Sequence, residues 1–233
     1  MKIAYTGLDV PEGSHKYDDP SMRALTEKFK PDKVSPYYFQ LLPDGYEEGE
    51  AIAVARDRLL DVLILDMEKI ETRLTREPPA AEAALLRKAQ AWLESEKPLC
   101  DLPADDSEKG ILGALAPLSY KPVVVLDPDE TAARDIHELF RRVLEKAGYM
   151  FFYTAGKKEV HAWRVRRGSD AVTCAGKIHS DLARGFVRAE VVSVADLLGV
   201  HSMQDALKQG VAKLVEKDYV VPPDSVIEIR FSV

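Results

Sequence analysis

The spacing of apolar positions changes part-way along the chain, from helical steps in the first part to strand-like alternation after about residue 148. Residues 2–6 form a short apolar run that stops at Gly7 and predicts a strand entering a turn. The polar stretch 7–19, with Pro11 and Gly13, reads as loop, and Pro20-Ser21 opens a short helix that runs to Phe29 and stops at Pro31. Residues 37–42 predict a second strand, closed by the turn signal Pro43-Asp44-Gly45. From Glu48 to Arg76, Leu59, Leu63, Met67, Ile70 and Leu74 recur at steps of three and four and predict one long helix, although the Val-Leu-Ile-Leu core of 61–66 also has the texture of a strand. Pro78-Pro79 breaks it, and 80–96 repeat the pattern with Leu85, Ala89, Trp92 and Leu93. Together they predict an antiparallel helical hairpin over about 49–97.

Residues 106–115 predict a shorter helix, 122–126 an apolar strand, and Thr131 to Ala147 an amphipathic helix ended by Gly148. Beyond it, β-branched and aromatic runs at 150–154, 160–166, 187–192 and 226–233 predict strands, interrupted by helical stretches near 178–184 and 202–214. The chain therefore divides into an α/β part, 1–148, carrying the hairpin, and a compact α+β part, 149–233.

The composition is that of a globular protein: 233 residues, 46% hydrophobic and 30% charged. The longest apolar runs, 123–126 and 150–153, are far shorter than the roughly 20 residues that cross a bilayer. Asp9 and Pro11 interrupt the N-terminus before a signal sequence forms, so a cytoplasmic protein without a membrane partner is expected. Cys100 and Cys174 stand apart with no ligand-like spacing, which predicts reduced thiols and no metal site. The net charge of −7 is uneven: residues 149–233 hold 12 Lys and Arg against 10 Asp and Glu, leaving −9 on the first 148. A phosphate-bearing partner is therefore expected on the C-terminal part.

Four ordered blocks carry a resemblance. Residues 152–163 (Phe-Tyr-Thr-Ala-Gly-Lys-Lys-Glu-Val-His-Ala-Trp), 175–181 (Ala-Gly-Lys-Ile-His-Ser-Asp), 185–191 (Gly-Phe-Val-Arg-Ala-Glu-Val) and 218–221 (Asp-Tyr-Val-Val) resemble the TGS domain of the Obg-like ATPase (YchF) family. The resemblance implies a β-grasp, ubiquitin-like fold and a cytosolic, nucleotide-dependent family linked to ribosomes and translation. In the first half, 63–74 resemble the family's first coiled-coil arm, 121–125 the strand leading to its base-recognition motif, and 19–33 the short helix before its second strand. The implied fold is a truncated P-loop-NTPase-like core followed by the β-grasp domain.

The departures bear on activity. A phosphate-binding loop needs glycines whose amides cradle phosphate, a Lys, and a Ser or Thr at a helix start. Here the stretch reads Gly7-Leu8-Asp9-Val10-Pro11-Glu12-Gly13-Ser14-His15, so Gly13 or Ser14 takes the Lys position, depending on register. The family's base-reading Asn-x-x-Glu becomes Asp127-Pro128-Asp129-Glu130, and an ionised Asp127 cannot donate as an amide does. Gly7, Gly13, Ser14, Lys16, Asp127 and Glu130 are candidates for a residual nucleotide pocket. Against this, 13–16 also read as a surface loop, and Asp127 and Glu130 as caps of the helix expected at Thr131. His179 with Asp181 has no nucleophile nearby, and 180–181 read as a helix start.

The densest basic cluster is Lys157, Lys158, Arg164, Arg166 and Arg167; on a strand, Arg164 and Arg166 share one face, opposite Trp163 and Val165. It suits RNA phosphates or an acidic protein surface, and a plainly solvated sheet face is its alternative. The sequence thus points to a protein without cofactor or catalytic residue, an RNA- or ribosome-associated adaptor. A pseudo-GTPase that binds ATP or GTP weakly, and a small-metabolite sensor, are the alternatives; any activity would be that of a nucleoside triphosphatase.

Overall fold

Two sheets organise the chain, and each gathers its own contact-dense unit: Met1–His15 with Phe39–Ala147, and Lys16–Tyr38 with the chain from Gly148 onward. The computed structural model describes residues 1–130, 132 and 134–232. In chain order the elements are β1 (Lys2–Thr6), β2 (Gly13–Lys16), α1 (Pro20–Phe29), β3 (Lys33–Ser35), β4 (Tyr38–Pro43), β5 (Ala51–Ala55), α2 (Leu59–Leu74), α3 (Ala80–Glu94), α4 (Asp106–Leu115), β6 (Val123–Leu126) and α5 (Ile136–Lys146). The second part adds β7 (Tyr149–Ala155), β8 (Glu159–Arg166), α6 (Ala171–Ile178), α7 (Ser180–Arg184), β9 (Phe186–Ser193), α8 (Val194–Leu198), α9 (Met203–Lys208), β10 (Lys213–Val215) and β11 (Ser225–Phe231). Among the described residues, no helix is long and apolar enough to cross a membrane.

The first sheet has the order β2-β4-β1-β5-β6, with β1 parallel to β4 and β5, and β5 parallel to β6. β5, Ala-Ile-Ala-Val-Ala, is buried at all five positions. This corrects the single helix expected from Glu48 to Arg76, which begins only at Leu59. A strand paired on both sides and covered on both faces shows no polar alternation, so periodicity does not separate it from the helix that follows. The periodic residues do lie on helix: Leu59, Leu63 and Ile70 of α2 pack with Leu85, Leu86, Ala89 and Leu93 of α3 against Ile52 and Val54 of β5. Near the α2–α3 connection, Arg73 donates to both carboxylate oxygens of Glu82, at 2.7 and 2.9 Å.

Inside this core sits Asp66, fully buried on α2. Its carboxylate accepts from the backbone amides of Leu118 and Ser119, at 2.6 and 2.7 Å, and so fixes the turn that leads into β6. Charge-assisted bonds to amides stabilise a buried carboxylate without a cation.

The second sheet runs β10-β9-β11-β7-β8-β3. β9 is antiparallel to β10 and β11, β7 is antiparallel to β8, and β11 lies parallel to β7. Met150, Phe152, Val165, Ala189, Val191 and Ile227 pack with Ala171 and Cys174 of α6 into its core. Residues 16–38, expected with the first 148, belong to this unit. β3 pairs parallel with β8, setting Lys33, Val34 and Ser35 beside Glu159, Val160 and His161. Asp19 caps α1 by accepting from the Ser21 amide at 2.9 Å, while its other oxygen accepts from the Tyr153 hydroxyl at 2.6 Å. Such long-range pairing leaves no local signature.

Other boundaries move as well. The stretch 7–19 contains β2. α5 starts at Ile136 with Asp135 as its cap, accepting from the His137 amide at 2.8 Å, and the expected start at Thr131 falls outside the described residues. β11 ends at Phe231; Val233, the expected end of the last strand, also falls outside them. The helix expected over 202–214 ends at Lys208, because Lys213–Val215 pairs with β9, and α8 went unforeseen.

Two outcomes are expected. Asp66→Ala leaves the buried Ser119 amide and the half-buried Leu118 amide without an acceptor and lowers stability by about 2–4 kcal/mol, read from urea melts of the full chain. Burial raises the Asp19 carboxyl above its ordinary value of 3.8, against the opposing Tyr153 bond. The folded state thus holds this proton more tightly than the unfolded chain, and the contribution of Asp19 is largest below pH 3.8 and declines as pH rises through the raised value. Urea melts should show wild type losing ground to Asp19→Asn between the acid end and neutrality; a pH-independent difference contradicts this.

Candidate nucleic-acid interface

β3 covers only Glu159 to His161 of β8, so the edge of β8 from Trp163 to Arg166 lies beyond its pairing partner. Val165 is buried in the core with Trp163 beside it, and Arg164 and Arg166 project from the opposite face. Across the β7–β8 pair, Arg166 stands opposite Tyr149 and Arg164 opposite Phe151. The guanidinium carbons lie 4.4 Å (Arg164) and 4.2 Å (Arg166) from the Tyr149 ring centroid, and Arg164 also approaches Tyr37 at 5.6 Å. Stacking on tyrosine holds both cations outstretched. Tyr37 and Tyr17 in turn pack on Phe151, at 5.1 and 5.8 Å between centroids. Arg164 is therefore half-buried in an aromatic layer, whereas Arg166 is exposed.

α6 completes the site. Its cap Asp170 accepts from the Thr173 amide at 2.8 Å, and burial of Ala171, Cys174 and Ala175 turns Thr173 and Lys177, four apart, outward. A groove of about 360 Å³ results, lined by Tyr149, Arg164, Arg166, Ser169, Thr173 and Lys177, and among the described residues no carboxylate lines it. Three cations, two hydroxyls and an aromatic ring match a phosphodiester with a neighbouring base. The sequence reading missed Lys177, Thr173 and Ser169; the four-residue spacing on a helix with a small-residue buried face was the available signal.

The other basic residues do not join this groove. Lys157 and Lys158 occupy the exposed β7–β8 turn. Eight residues of strand, roughly 26 Å, separate Lys158 from Arg166. At the lysine end, Ser35 and Lys33 bind the Glu159 carboxylate, at 2.6 and 2.9 Å, and hold it below its ordinary range. Desolvation outweighs Glu159 at His161 and pushes that imidazole down. Arg167 is exposed just past β8, its amide donating to the Gly148 carbonyl at 2.8 Å.

The residues proposed for a nucleotide pocket are also dispersed. Gly7 ends β1 with φ 70°, and an added Cβ would lie 2.6 Å from Cγ of Arg58, whose guanidinium meets Asp61 at 3.5 Å. No helix follows β1. The loop instead leads to β2, with His15 Nε2 2.9 Å from the Pro11 carbonyl. Gly13, Ser14 and Lys16 lie on β2 and Asp127 and Glu130 follow β6, the opposite edge of the same sheet. Four strand spacings, roughly 19 Å, separate those edges, so the six residues do not form one pocket. Asp127 pairs with Arg56 at 3.1 Å, and Glu130 accepts from the Asp127 amide and pairs with Arg142, both at 2.9 Å. These two contacts hold the Glu130 carboxyl below its ordinary value. The helix start at Thr131 expected to be capped by Asp127 and Glu130 lies outside the described residues; the described helix α5 is capped by Asp135. His179 Nδ1 accepts from the Asp181 amide at 3.1 Å and caps α7.

Neither thiol is poised for chemistry: burial raises Cys100, and pushes Cys174 up to about 12. Among the described residues, no three His, Cys, Asp or Glu side chains gather as metal ligands.

Residues 149–232 match the family YchF-GTPase_C, described as a protein of unknown function (DUF933). The chain is 29% identical over 237 aligned positions to the ribosome-binding ATPase YchF of Bacillus subtilis (strain 168), covering 75% of this chain and 65% of that protein. Over 82 residues it is 44% identical to the ribosome-binding ATPase YchF of Mycoplasma genitalium, covering 35% of this chain and 22% of that protein. The chain is similar to the YchF proteins. It spans less than two thirds of the length of these curated relatives. The solved structure of the Schizosaccharomyces pombe YchF GTPase has the same fold, with a TM-score of 0.79 at 15% identity over 99% of this chain and 97% of that one.

If Gly7 is required by its own turn, Gly7→Ala lowers stability by about 1–2 kcal/mol through its positive φ alone, with the Arg58 contact adding to it. Gly7→Ala combined with Arg58→Ala should recover only the Arg58 part in urea melts, because the positive φ and the 2.8 Å approach to Cβ of Ala55 remain. Full recovery would mean that the backbone conformation carries no cost.

Proposed function

We propose that this chain is a nucleotide-independent relative of the YchF proteins that acts in the cytoplasm as a ribosome- or RNA-associated adaptor. The observation that carries the reading is the acid-free groove of Tyr149, Arg164, Arg166, Ser169, Thr173 and Lys177, built within the module that matches the YchF C-terminal domain. Relatives named ribosome-binding ATPases support the partner. The module is read as a TGS-type β-grasp domain. The parallel pairing of its first and last strands, β7 and β11, each continued by an antiparallel neighbour, supports this.

Lack of nucleotide turnover is supported by three features at the end of β1. No lysine stands at the expected position, no helix directly follows β1 in the chain, and the Arg58 stem at the start of α2 packs where a Cβ on Gly7 would lie. A triphosphate needs oriented amides and a cation together. Asp127 and Glu130 are committed to Arg56 and Arg142.

The test is cosedimentation with ribosomes over a salt series, comparing wild type with Arg166→Glu plus Lys177→Glu. Both side chains are exposed, so the fold is retained; Arg164 is left in its aromatic stack. Affinity should fall about tenfold or more, and the slope of log affinity against log salt should drop by about 2. Equal sedimentation at every salt concentration rejects the groove as the contact. Calorimetry with magnesium and ATP or GTP should give no heat, and a low-micromolar dissociation constant replaces the adaptor by a nucleotide-binding protein.

A further inference from the structure

α2 has a second, unpartnered side. Leu60, Ile64 and Leu65 are 45%, 47% and 43% exposed, although the opposite face of the same helix is fully buried. Amphipathic helices of a globular core ordinarily turn polar residues outward, so three large aliphatic side chains within two turns form a patch that water solvates poorly. The patch has a sign. At about 100° per residue, its half of the helix also holds Asp61, Glu68 and Glu71, and Asp57 precedes the first turn. The cations of α2 fall on the flank and are engaged there, Arg58 with Asp61, Lys69 with the Ala116 carbonyl and Arg73 with Glu82, while Arg76, just past the helix, lines a shallow groove with Leu65 and Glu68. Among the described residues, Asp57, Glu68 and Glu71 have no ion-pair partner.

We propose that this face of α2 docks a basic amphipathic protein segment, with apolar side chains over Leu60, Ile64 and Leu65 and Lys or Arg against the surrounding carboxylates. The chemistry fixes the class of partner. An acidic or nucleic-acid surface is repelled by Asp57, Asp61, Glu68 and Glu71, and a purely polar cationic chain leaves the aliphatic groups wet. The −9 charge of the first 148 residues raises the local concentration of such a segment. This surface is independent of the β8 groove, and either one can fail without the other.

The experiment uses the full chain and an 18-residue fluorescein-labelled peptide of Leu and Lys in helical period, with two controls in which Glu replaces Lys or Ser replaces Leu. The Leu/Lys peptide should bind in an anisotropy titration, and the Ser and Glu controls should bind at least tenfold more weakly. Leu60→Ser with Ile64→Ser should weaken the Leu/Lys peptide about tenfold, while Glu68→Gln with Glu71→Gln should flatten its salt dependence. All four positions are exposed, and unchanged thermal melts verify the fold. The proposal is overturned if either pair of substitutions leaves binding unchanged, or if the Glu control binds as well as the Lys peptide. A concentration-dependent dimer in sedimentation velocity, abolished by the Ser pair, would give the face to a second copy of this chain and also overturn it.

Discussion

One carboxylate holds the arrangement of the C-terminal unit together. Asp19 ends the loop after β2, starts α1 through the Ser21 amide and binds Tyr153 at the middle of β7. Tyr153 also lies 3.4 Å from Asp224, which accepts from Ser21, so the start of α1, β7 and the approach to β11 share one hydrogen-bond network that runs from the buried Asp19–Tyr153 pair to the exposed Asp224. With α1 fixed there, β3 falls beside β8 and its three residues protect only part of that strand. The length of β3 therefore decides where the edge of β8 opens, and hence where the cationic groove lies.

The groove proposed to bind phosphate lies at an open sheet edge. An open edge presents backbone groups and is ordinarily guarded by charge. Here the guarding residues are Arg164 and Arg166, stacked on Tyr149, with Lys177 added from α6. Stacking limits rotamer freedom before any anion arrives, which lowers the entropic cost of binding.

The first unit keeps the parallel sheet of an α/β core, and Gly7, Ala55 and Leu126 stand at or beside the carboxyl ends of its strands, where such sheets usually take ligands. What lies there is internal pairing: Arg58 over Gly7, Arg56 with Asp127, Arg142 with Glu130. The charges at these strand ends pair with one another.

The sequence alone determined the elements whose signals are local. α1 has its proline and Asp19 cap, α4 its Asp105–Glu108 capping box, α2 and α3 their apolar stripes, and β7 and β8 their aromatic and β-branched alternation. It also put Arg164 and Arg166 on one face, because strand periodicity needs no partner. Tertiary structure decided the rest. β5 is legible as a strand only once both its neighbours are in place, and β2, β3 and β10 are too short to show a period and exist through pairing. Lys157 and Lys158 are neighbours of Arg164 and Arg166 in sequence, but an extended strand sets them far apart, while α6 brings in Lys177 from across the fold. The six supposed pocket residues are likewise separated by strand order, which sets Gly13, Ser14 and Lys16 at one edge of the sheet, Asp127 and Glu130 at the other, and Gly7 at the end of the central β1. Local pattern encodes which face a side chain takes, and long-range pairing alone sets which faces meet.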